Sequence, residues 1–375
     1  NVVIDRFGNL SIEFSVPTLN AVNSATLTNL EEGIKMEWDH VEGADLYDLY
    51  KKQGDLWIKL NSVSLEQCSF IDTNVTEGET YLYVINAKSL TGLQSGFSEI
   101  FSIKRNTKRV FLGTYEDRRV HRLRETISGF ETVKSFSLTN SPFHVHTRDN
   151  SLYVVSSNAV FELDSTSLDI IQSRSFSFIL SPADFTQDYL FLIGANKMYR
   201  LNFTSFAYDE YNIQGLIFLS ADNYLCTVDS SKRVILRDPS DPMVVIAQTS
   251  GDYAFTKQDR LFVYENGNMR IYTLTSGILK NDGSISISET PKSVDVYEDY
   301  AYVAVDDGFY AIDLRNFSGQ KVGSLNLTRH LMIHQDQLYL IHDRYLKVYD
   351  LQNPLSPTLR RSNSFTNKCW ALFVD

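Results

Sequence analysis

A layout of short strands that returns about every forty residues constrains this chain more than any other feature. Residues 299–322 show it best: an apolar run after a tight turn, a polar loop, an alternating run ending in Asp-Leu, and a third short run. The second strand of each copy begins at Val110, Leu152, Leu190, Leu225, Leu261, Ala301 and Leu338, a spacing of 35 to 42 residues. Four-stranded propeller blades repeat at this interval. The sequence therefore predicts seven blades over residues 106–375.

The two ends of the repeated region each carry an incomplete unit. The unit at Val110 has no first strand before it, whereas residues 367–375 form a first strand that no second strand follows. We therefore expect the C-terminal strand to complete the first blade. Such closure ties the ends of a ring together and removes exposed sheet edges.

Residues 17–105 have a different pattern, with about seven short alternating runs separated by turn signals. The runs are predicted to place three groups of side chains toward a core: Ile34, Met36 and Trp38; Leu46 and Tyr50; Tyr81, Tyr83, Ile85 and Ala87. The pattern predicts a β-sandwich.

This segment resembles a fibronectin type III domain. Trp38 stands where that family buries a second-strand tryptophan, and Tyr81 matches its corner tyrosine. The segment has no Arg-Gly-Asp tripeptide, so the resemblance implies a spacer or packing module rather than an integrin ligand. The predicted fold class is therefore all-β, with a fibronectin type III-like sandwich plus a seven-bladed β-propeller closed by the C-terminal strand.

The sixth repeat resembles the LVIVD-type repeat of bacterial and archaeal surface propellers. The fourth and seventh repeats carry the Asp and Asn/Asp-Pro loop of that family, at Arg237-Asp-Pro-Ser-Asp-Pro and Tyr349-Asp-Leu-Gln-Asn-Pro, and the first three lack the Pro loop. The resemblance implies an extracytoplasmic binding or assembly role.

Composition limits the partners. A net charge of -11 disfavours nucleic acid and anionic membranes, which require a positive protein surface. No apolar run is long enough to span a bilayer. Cys68, Cys226 and Cys369 lack CxxC spacing and are predicted to be buried free thiols.

The N-terminal residues 1–16 are predicted to form a lead or an extra strand. A chain that starts with Asn1 rather than Met fits a secreted or lipoprotein chain whose leader has been removed, so a lipid anchor is an option. We expect a secreted, periplasmic or surface-tethered protein.

Acidic residues occupy the loops between second and third strands, which surround one mouth of a propeller channel. They are Glu116, Asp117, Asp229, Glu265, Asp306, Asp307 and Asp343. Together they would make a cation-attracting recognition surface. The alternative is that hairpin loops are acidic simply because they are solvated, and this interpretation is favoured. No calcium-loop spacing is present, and no metal or other cofactor is expected.

The histidines do not form a metal-site pattern in the sequence. His330, His334 and His342 are spread along the last repeat, and His144 and His146 alternate in one strand, so satisfied or surface histidines are the expectation. Enzyme signatures such as G-x-S-x-G and H-E-x-x-H are absent.

The sequence predicts a non-catalytic binding or scaffolding protein that recognises protein or glycan with the propeller face. Two alternatives stay open. One is a carbohydrate-active hydrolase with carboxylates at the channel mouth, because propeller glycosidases need no local motif. The other is an intracellular assembly scaffold.

Overall fold

The computed structural model describes the chain except for residues 1, 5–9, 13–18, 31–32, 65–66, 77–78, 106–107, 127–128, 179, 196, 214–215 and 276. Within the described part every regular element is a strand. It accordingly contains no helix that could cross a membrane. The chain divides into two compact units, residues 1–108 and 109–375.

The first unit contains two sheets around one core. Its strands are β1 (Val2–Ile4), β2 (Leu10–Ile12), β3 (Ala25–Leu30), β4 (Gly33–Trp38), β5 (Leu46–Gln53), β6 (Leu56–Ser64), β7 (Ser69–Asp72), β8 (Thr80–Lys88), β9 (Gln94–Phe97) and β10 (Phe101–Lys104). One sheet has the order β3-β4-β7, and the other has the order β10-β8-β5-β6 with β9 also paired to β8. β1 and β2 pair with each other, and most of the remaining N-terminal lead lies outside the described residues.

The core of this unit confirms two of the three predicted groups and corrects the third. Ile34, Met36 and Trp38 are buried, as are Tyr83, Ile85 and Ala87, whereas Tyr81 packs at the edge of the cluster. In β5, however, Tyr47 and Leu49 are buried instead of Leu46 and Tyr50. A shift of one residue moves every side chain of a strand to the other face.

Lys51 explains why the face of β5 was predicted wrongly. Its charge indicates a solvent-facing position, yet it is 2% exposed and extends the buried row of Tyr47 and Leu49. The Lys51 Nζ lies 2.7 Å from Asp72 Oδ2 and donates to the Asn74 carbonyl oxygen at 2.7 Å. Tyr83 Oη also donates to Asp72, at 2.9 Å. A buried charge is tolerated only when it is paired in this way.

The described residues of the second unit form seven four-stranded antiparallel sheets. In chain order they are built from β11 (Val110–Thr114), β12 (Arg119–Thr126), β13 (Gly129–Ser137); β14 (Pro142–Arg148), β15 (Ser151–Ser156), β16 (Ala159–Asp164), β17 (Ile170–Ser175); β18 (Leu180–Phe185), β19 (Tyr189–Gly194), β20 (Lys197–Asn202), β21 (Tyr208–Tyr211); β22 (Leu216–Ala221), β23 (Leu225–Asp229), β24 (Arg233–Arg237), β25 (Val245–Ser250); β26 (Tyr253–Lys257), β27 (Arg260–Glu265), β28 (Asn268–Thr275), β29 (Ile278–Ser286); β30 (Ser293–Tyr297), β31 (Tyr300–Val305), β32 (Asp307–Asp313), β33 (Ser318–Asn326); β34 (Thr328–His334), β35 (Gln337–His342), β36 (Tyr345–Asp350), β37 (Thr358–Ser364) and β38 (Cys369–Val374).

The last strand of the chain belongs to the first of these sheets. β38 pairs antiparallel with β11, from Val110 opposite Val374 to Leu112 opposite Leu372, with a bulge before Thr114. This is the pairing that the incomplete repeat units predict. The main chains of Arg109 and Asp375 then exchange two further hydrogen bonds, at 3.0 and 2.9 Å.

We refer to β14, β18, β22, β26, β30, β34 and β38 as the inner strands. Each lies beside the next in this order, and β38, the last, also contacts β14, the first. The second strands behind them are almost fully buried, as in β11, β23 and β35. Burial on both faces is what packed blades require, and these sheets are propeller-like.

Candidate functional site

The predicted acidic residues lie in or beside the turns between second and third strands. Glu116, Asp117, Asp306 and Asp343 are in the turns, whereas Asp229 and Glu265 end β23 and β27 and Asp307 begins β32. Most have a partner close by. Short ion pairs join Asp229 to Arg233 at 2.7 Å, Glu265 to Arg270 at 2.9 Å, Asp306 to Lys292 at 3.3 Å and Asp307 to Lys321 at 3.3 Å; Asp117 accepts from Thr114, and Glu116 accepts from the Lys368 main chain. Asp343 lies in the same row, where its carbonyl oxygen accepts from Cys369 at 2.7 Å.

These acids are spread along the row of loops and do not converge on one point. The described residues contain no group of three or more His, Cys, Asp or Glu that could hold a metal ion. Asp229 is buried within its own loop, where it also accepts from the main chains of Ser231 and Arg233. Asp306 and Asp307 are the most open members, with side chains 59% and 46% exposed. The row therefore supplies local negative charge around the mouth.

Three aromatic and cationic side chains stack at the same mouth. The rings of Tyr115, from the β11–β12 loop, and Trp370, at the start of β38, lie 4.8 Å apart and 30° from parallel. The Arg329 guanidinium, on β34, lies 4.3 Å from the Trp370 ring centroid. Both groups therefore pack against the Trp370 indole. Tyr115 is the outer member and is 47% exposed.

Behind this stack the inner strands enclose a central cavity of about 500 Å³. All seven inner strands contribute to its lining, which is aromatic in part, with Phe143, Phe218 and Phe255. This size is within the range of small-molecule sites.

Carboxylates on the inner strands satisfy backbone groups of the neighbouring inner strand. Asp184 accepts from the Ala221 N–H at 2.8 Å, and Asp295 accepts from the Ile333 N–H at 2.7 Å. Asp222 likewise accepts from the Gln258 N–H. An inner strand has no sheet partner on its channel side, so its buried N–H groups need such acceptors. These aspartates therefore link successive sheets across the cavity wall.

Histidine and lysine side chains complete the wall. His144 Nε2 lies 3.8 Å from Asp184 Oδ1, and Lys257 Nζ lies 3.5 Å from Asp295 Oδ1. The Nδ1 atom of His330 is buried and has no hydrogen-bond partner among the described residues. The expectation of a satisfied or surface histidine is therefore wrong for His330.

Burial sets the ionisation of this wall. It lowers the pKa of His144 to about 4, and it lowers the pKa values of His146 and His330 to about 3, with nearby His144 and Lys257 adding to the effect. Burial also raises the pKa of Asp184 to about 6. At neutral pH the histidines are therefore uncharged and Asp184 is largely ionised.

We predict that these groups make the fold sensitive to acid. Between pH 6.5 and 4 the unfolded chain binds protons at His144, His146 and His330 that the folded chain does not, so stability falls as pH falls. Asp184, between pH 6 and 3.8, and Asp222 act in the opposite direction, because burial raises their folded pKa values, but they are two groups against three. We expect a net loss of about 1 kcal/mol per pH unit.

Urea unfolding at a series of pH values measures this loss. The variant His330→Gln removes one of the titrating groups, so its stability should depend less steeply on pH than that of the wild type. An unchanged slope in His330→Gln would show that this histidine does not contribute.

Comparison with known proteins identifies the fold alone. No family model matches the chain, and no curated protein matches it. Similar solved structures include a functionally unknown protein from Desulfotomaculum acetoxidans, with TM-score 0.57 and 10% identity over 71% of this chain and 98% of that one. Another is Citrobacter koseri AztD, with TM-score 0.53 and 10% identity over 72% of this chain and 98% of that one. A third is Kluyveromyces lactis Hsv2, with TM-score 0.51 and 9% identity over 68% of this chain and 95% of that one. These structures are β-propeller-like, as is the second unit of this chain.

The cavity wall and the aromatic stack were both missed by sequence reasoning, which looked at the loops. A signal for the wall is present in the sequence. Asp184, Lys257 and Asp295 are each a charged residue inside an otherwise apolar first strand of a repeat. In the stack, Tyr115 and Trp370 are more than 200 positions apart in the sequence. The pairing of β38 with β11 brings these two residues together.

Proposed function

We propose that residues 109–375 form a closed seven-bladed β-propeller and that the preceding unit is a fibronectin type III-like sandwich. Seven four-stranded sheets, the β11–β38 pairing and the contact of β38 with β14 support the ring. The sheets of three and five strands support the sandwich, as does the corner-type hydrogen bond from the Thr76 N–H to Tyr81 Oη at 2.7 Å. The resemblance of the sixth repeat to LVIVD-type repeats belongs to the same proposal.

The proposed function is non-catalytic recognition of a protein partner at the propeller mouth. The observation that carries it is the stack of Tyr115, Trp370 and Arg329 with acidic loops around it. Tyr, Trp and Arg are the residue types that dominate the energetics of protein interfaces, usually inside a polar rim. The stack holds Tyr115 in place before a partner arrives, which lowers the entropy cost of binding.

The acidic rim defines the chemistry of the partner surface. Glu116 and Asp117 adjoin Tyr115 in the same loop, and Asp343 lies beside the start of β38. Negative charge around an aromatic anchor favours a partner with a basic periphery, which it would steer toward the mouth. A glycan is a poorer fit to the stack, because sugar rings pack on open aromatic faces and the Trp370 indole already packs against Tyr115 and Arg329.

We further propose an extracytoplasmic setting, secreted, periplasmic or tethered to a surface by a lipid anchor. The LVIVD-type resemblance of the repeats supports this setting. In this arrangement the first unit acts as a spacer between an anchor and the propeller. Cell fractionation tests the setting, because an intracellular scaffold would remain with the cytoplasm.

Tyr115→Ala is expected to weaken partner binding at least about tenfold, because it removes the exposed member of the stack. Purified wild-type and variant proteins are used to capture partners from a detergent extract of the native cell envelope, and each captured protein is quantified. Tyr300→Ala is the matched control, since Tyr300 also contacts an arginine, Arg315, at 5.1 Å but lies at the other end of its sheet. The proposal predicts partners lost with Tyr115→Ala and kept with Tyr300→Ala. Equal capture by the two variants would contradict it.

A further inference from the structure

The wall of the central cavity carries more negative than positive charge. Asp184, Asp222 and Asp295 face a single enclosed ammonium group, that of Lys257. Lys292 at the rim is occupied by Asp306, 3.3 Å away. With neutral histidines, the three carboxylates of the wall outnumber its enclosed ammonium group.

The pKa of Lys257 shows how the electrostatic field of these carboxylates acts on an ammonium group. The carboxylates of Asp295, Asp222 and Asp184 raise its pKa and outweigh the opposing effect of burial. The same field would stabilise a second ammonium group brought into the cavity by a ligand, since opposite charges attract strongly where water is scarce.

A second, independent feature points to a ligand. His330 lines this cavity, and its buried Nδ1 atom lacks a hydrogen-bond partner among the described residues. Buried polar atoms are nearly always partnered in folded proteins, and an exception calls for an explanation. A neutral imidazole nitrogen without a proton accepts a hydrogen bond, and a primary ammonium group has three to donate.

The rest of the lining suits the body of such a ligand. Phe143, Phe218 and Phe255 contribute aromatic surface next to the polar wall. Aromatic faces attract cations and also cover an alkyl chain. The carboxylates would repel an anion. The described residues offer no cluster of ligands suited to a metal ion.

We propose that the central cavity binds a small organic cation, a primary amine whose ammonium group lies among Asp184, Asp295 and His330 and whose alkyl part lies against the phenylalanines. Trp370 lines this cavity and also belongs to the stack at the mouth, but the amine titration and the Tyr115→Ala capture use different ligands, so either proposal can fail without the other.

Calorimetric titration of the full chain at low salt tests the proposal with three probes of equal length: n-butylamine, 1-butanol and butyrate. We expect n-butylamine alone to bind. Asp295→Asn should weaken it about tenfold, because a charge-assisted contact is lost. Lys257→Met should strengthen it by several-fold, because the resident competing cation is removed. These opposite effects keep the test informative if Asp295→Asn fails to fold.

Asp343→Asn is the control, because Asp343 lies in a mouth loop outside the cavity lining. Its φ of +45° is a conformation that asparagine adopts readily. It should leave n-butylamine binding unchanged. Three results would overturn the proposal: no binding of n-butylamine, equal binding of 1-butanol or butyrate, or equal affinity in the wild type and Lys257→Met.

Discussion

Removal of residues 369–375 is expected to abolish the folded monomer of the second unit. The deletion takes away β38, whose Leu372, Val374 and Cys369 are 1–2% exposed. Each fully buried aliphatic side chain contributes about 1.5–3 kcal/mol, so the loss is comparable to the whole stability of an ordinary domain. The deletion also leaves β11 as an open sheet edge. In addition, β14 and β34 lose their contacts with β38. Unpaired edges of this kind recruit other chains.

Size-exclusion chromatography and thermal melting measure this outcome. The truncated protein should elute as aggregate or lack a cooperative transition for the second unit. A chain that lacks only Asp375 is the control, because it keeps β38 and loses just the terminal contacts with Arg109. A monomeric truncated protein that melts at the temperature of the intact chain would show that β38 is dispensable.

Lys51→Met is expected to cost the first unit about 3–5 kcal/mol, since it leaves the Asp72 carboxylate buried without its cation. Among the described residues, Asp72 would keep the hydrogen bonds from Tyr83 Oη and the Asn74 N–H. Adding Asp72→Asn to this variant should recover part of the loss, because a neutral amide is cheaper to bury than an unpaired charge. Methionine keeps the length of the lysine side chain, so the comparison isolates the charge.

Urea unfolding of the full chain, followed through amide exchange in β5 and β8, measures the change in the first unit. Lys35→Met is the matched control: its ion pair with Glu37, at 2.7 Å, is partly exposed. That substitution should cost less than about 1 kcal/mol. If Lys51→Met is no more costly than Lys35→Met, the buried pair contributes little to stability.

The strands of the second unit could be predicted from the sequence because each repeat is buried on both sides. The predicted second strands at Val110 and Leu225 begin at the same residues as the observed strands. The strand predicted to begin at Leu152 begins at Ser151 in the structure. In β5 of the first unit the same reasoning chose the wrong face. Lys51 is paired inside the protein with Asp72, 21 positions away, and no local pattern reveals a buried ion pair.

The candidate sites were harder to predict than the strands. Acidic residues near turns are easy to recognise in a sequence. The Asp229 carboxylate, however, accepts hydrogen bonds from Ser231 and Arg233 and so stabilises its own turn. The cavity wall is assembled from single residues, such as Asp184 and Lys257, that meet only because the inner strands form one ring of contacts. His330 has no local signature at all; its unpartnered nitrogen is visible only in three dimensions.

The most direct test of the account is hydrogen exchange of the C-terminal residues 369–374 in the intact protein. A ring closed by β38 predicts that these amides exchange as slowly as those of β35, which lies at the centre of its sheet. Exchange of residues 369–374 at the rate of an unstructured peptide, while β35 stays protected, would contradict the closed propeller.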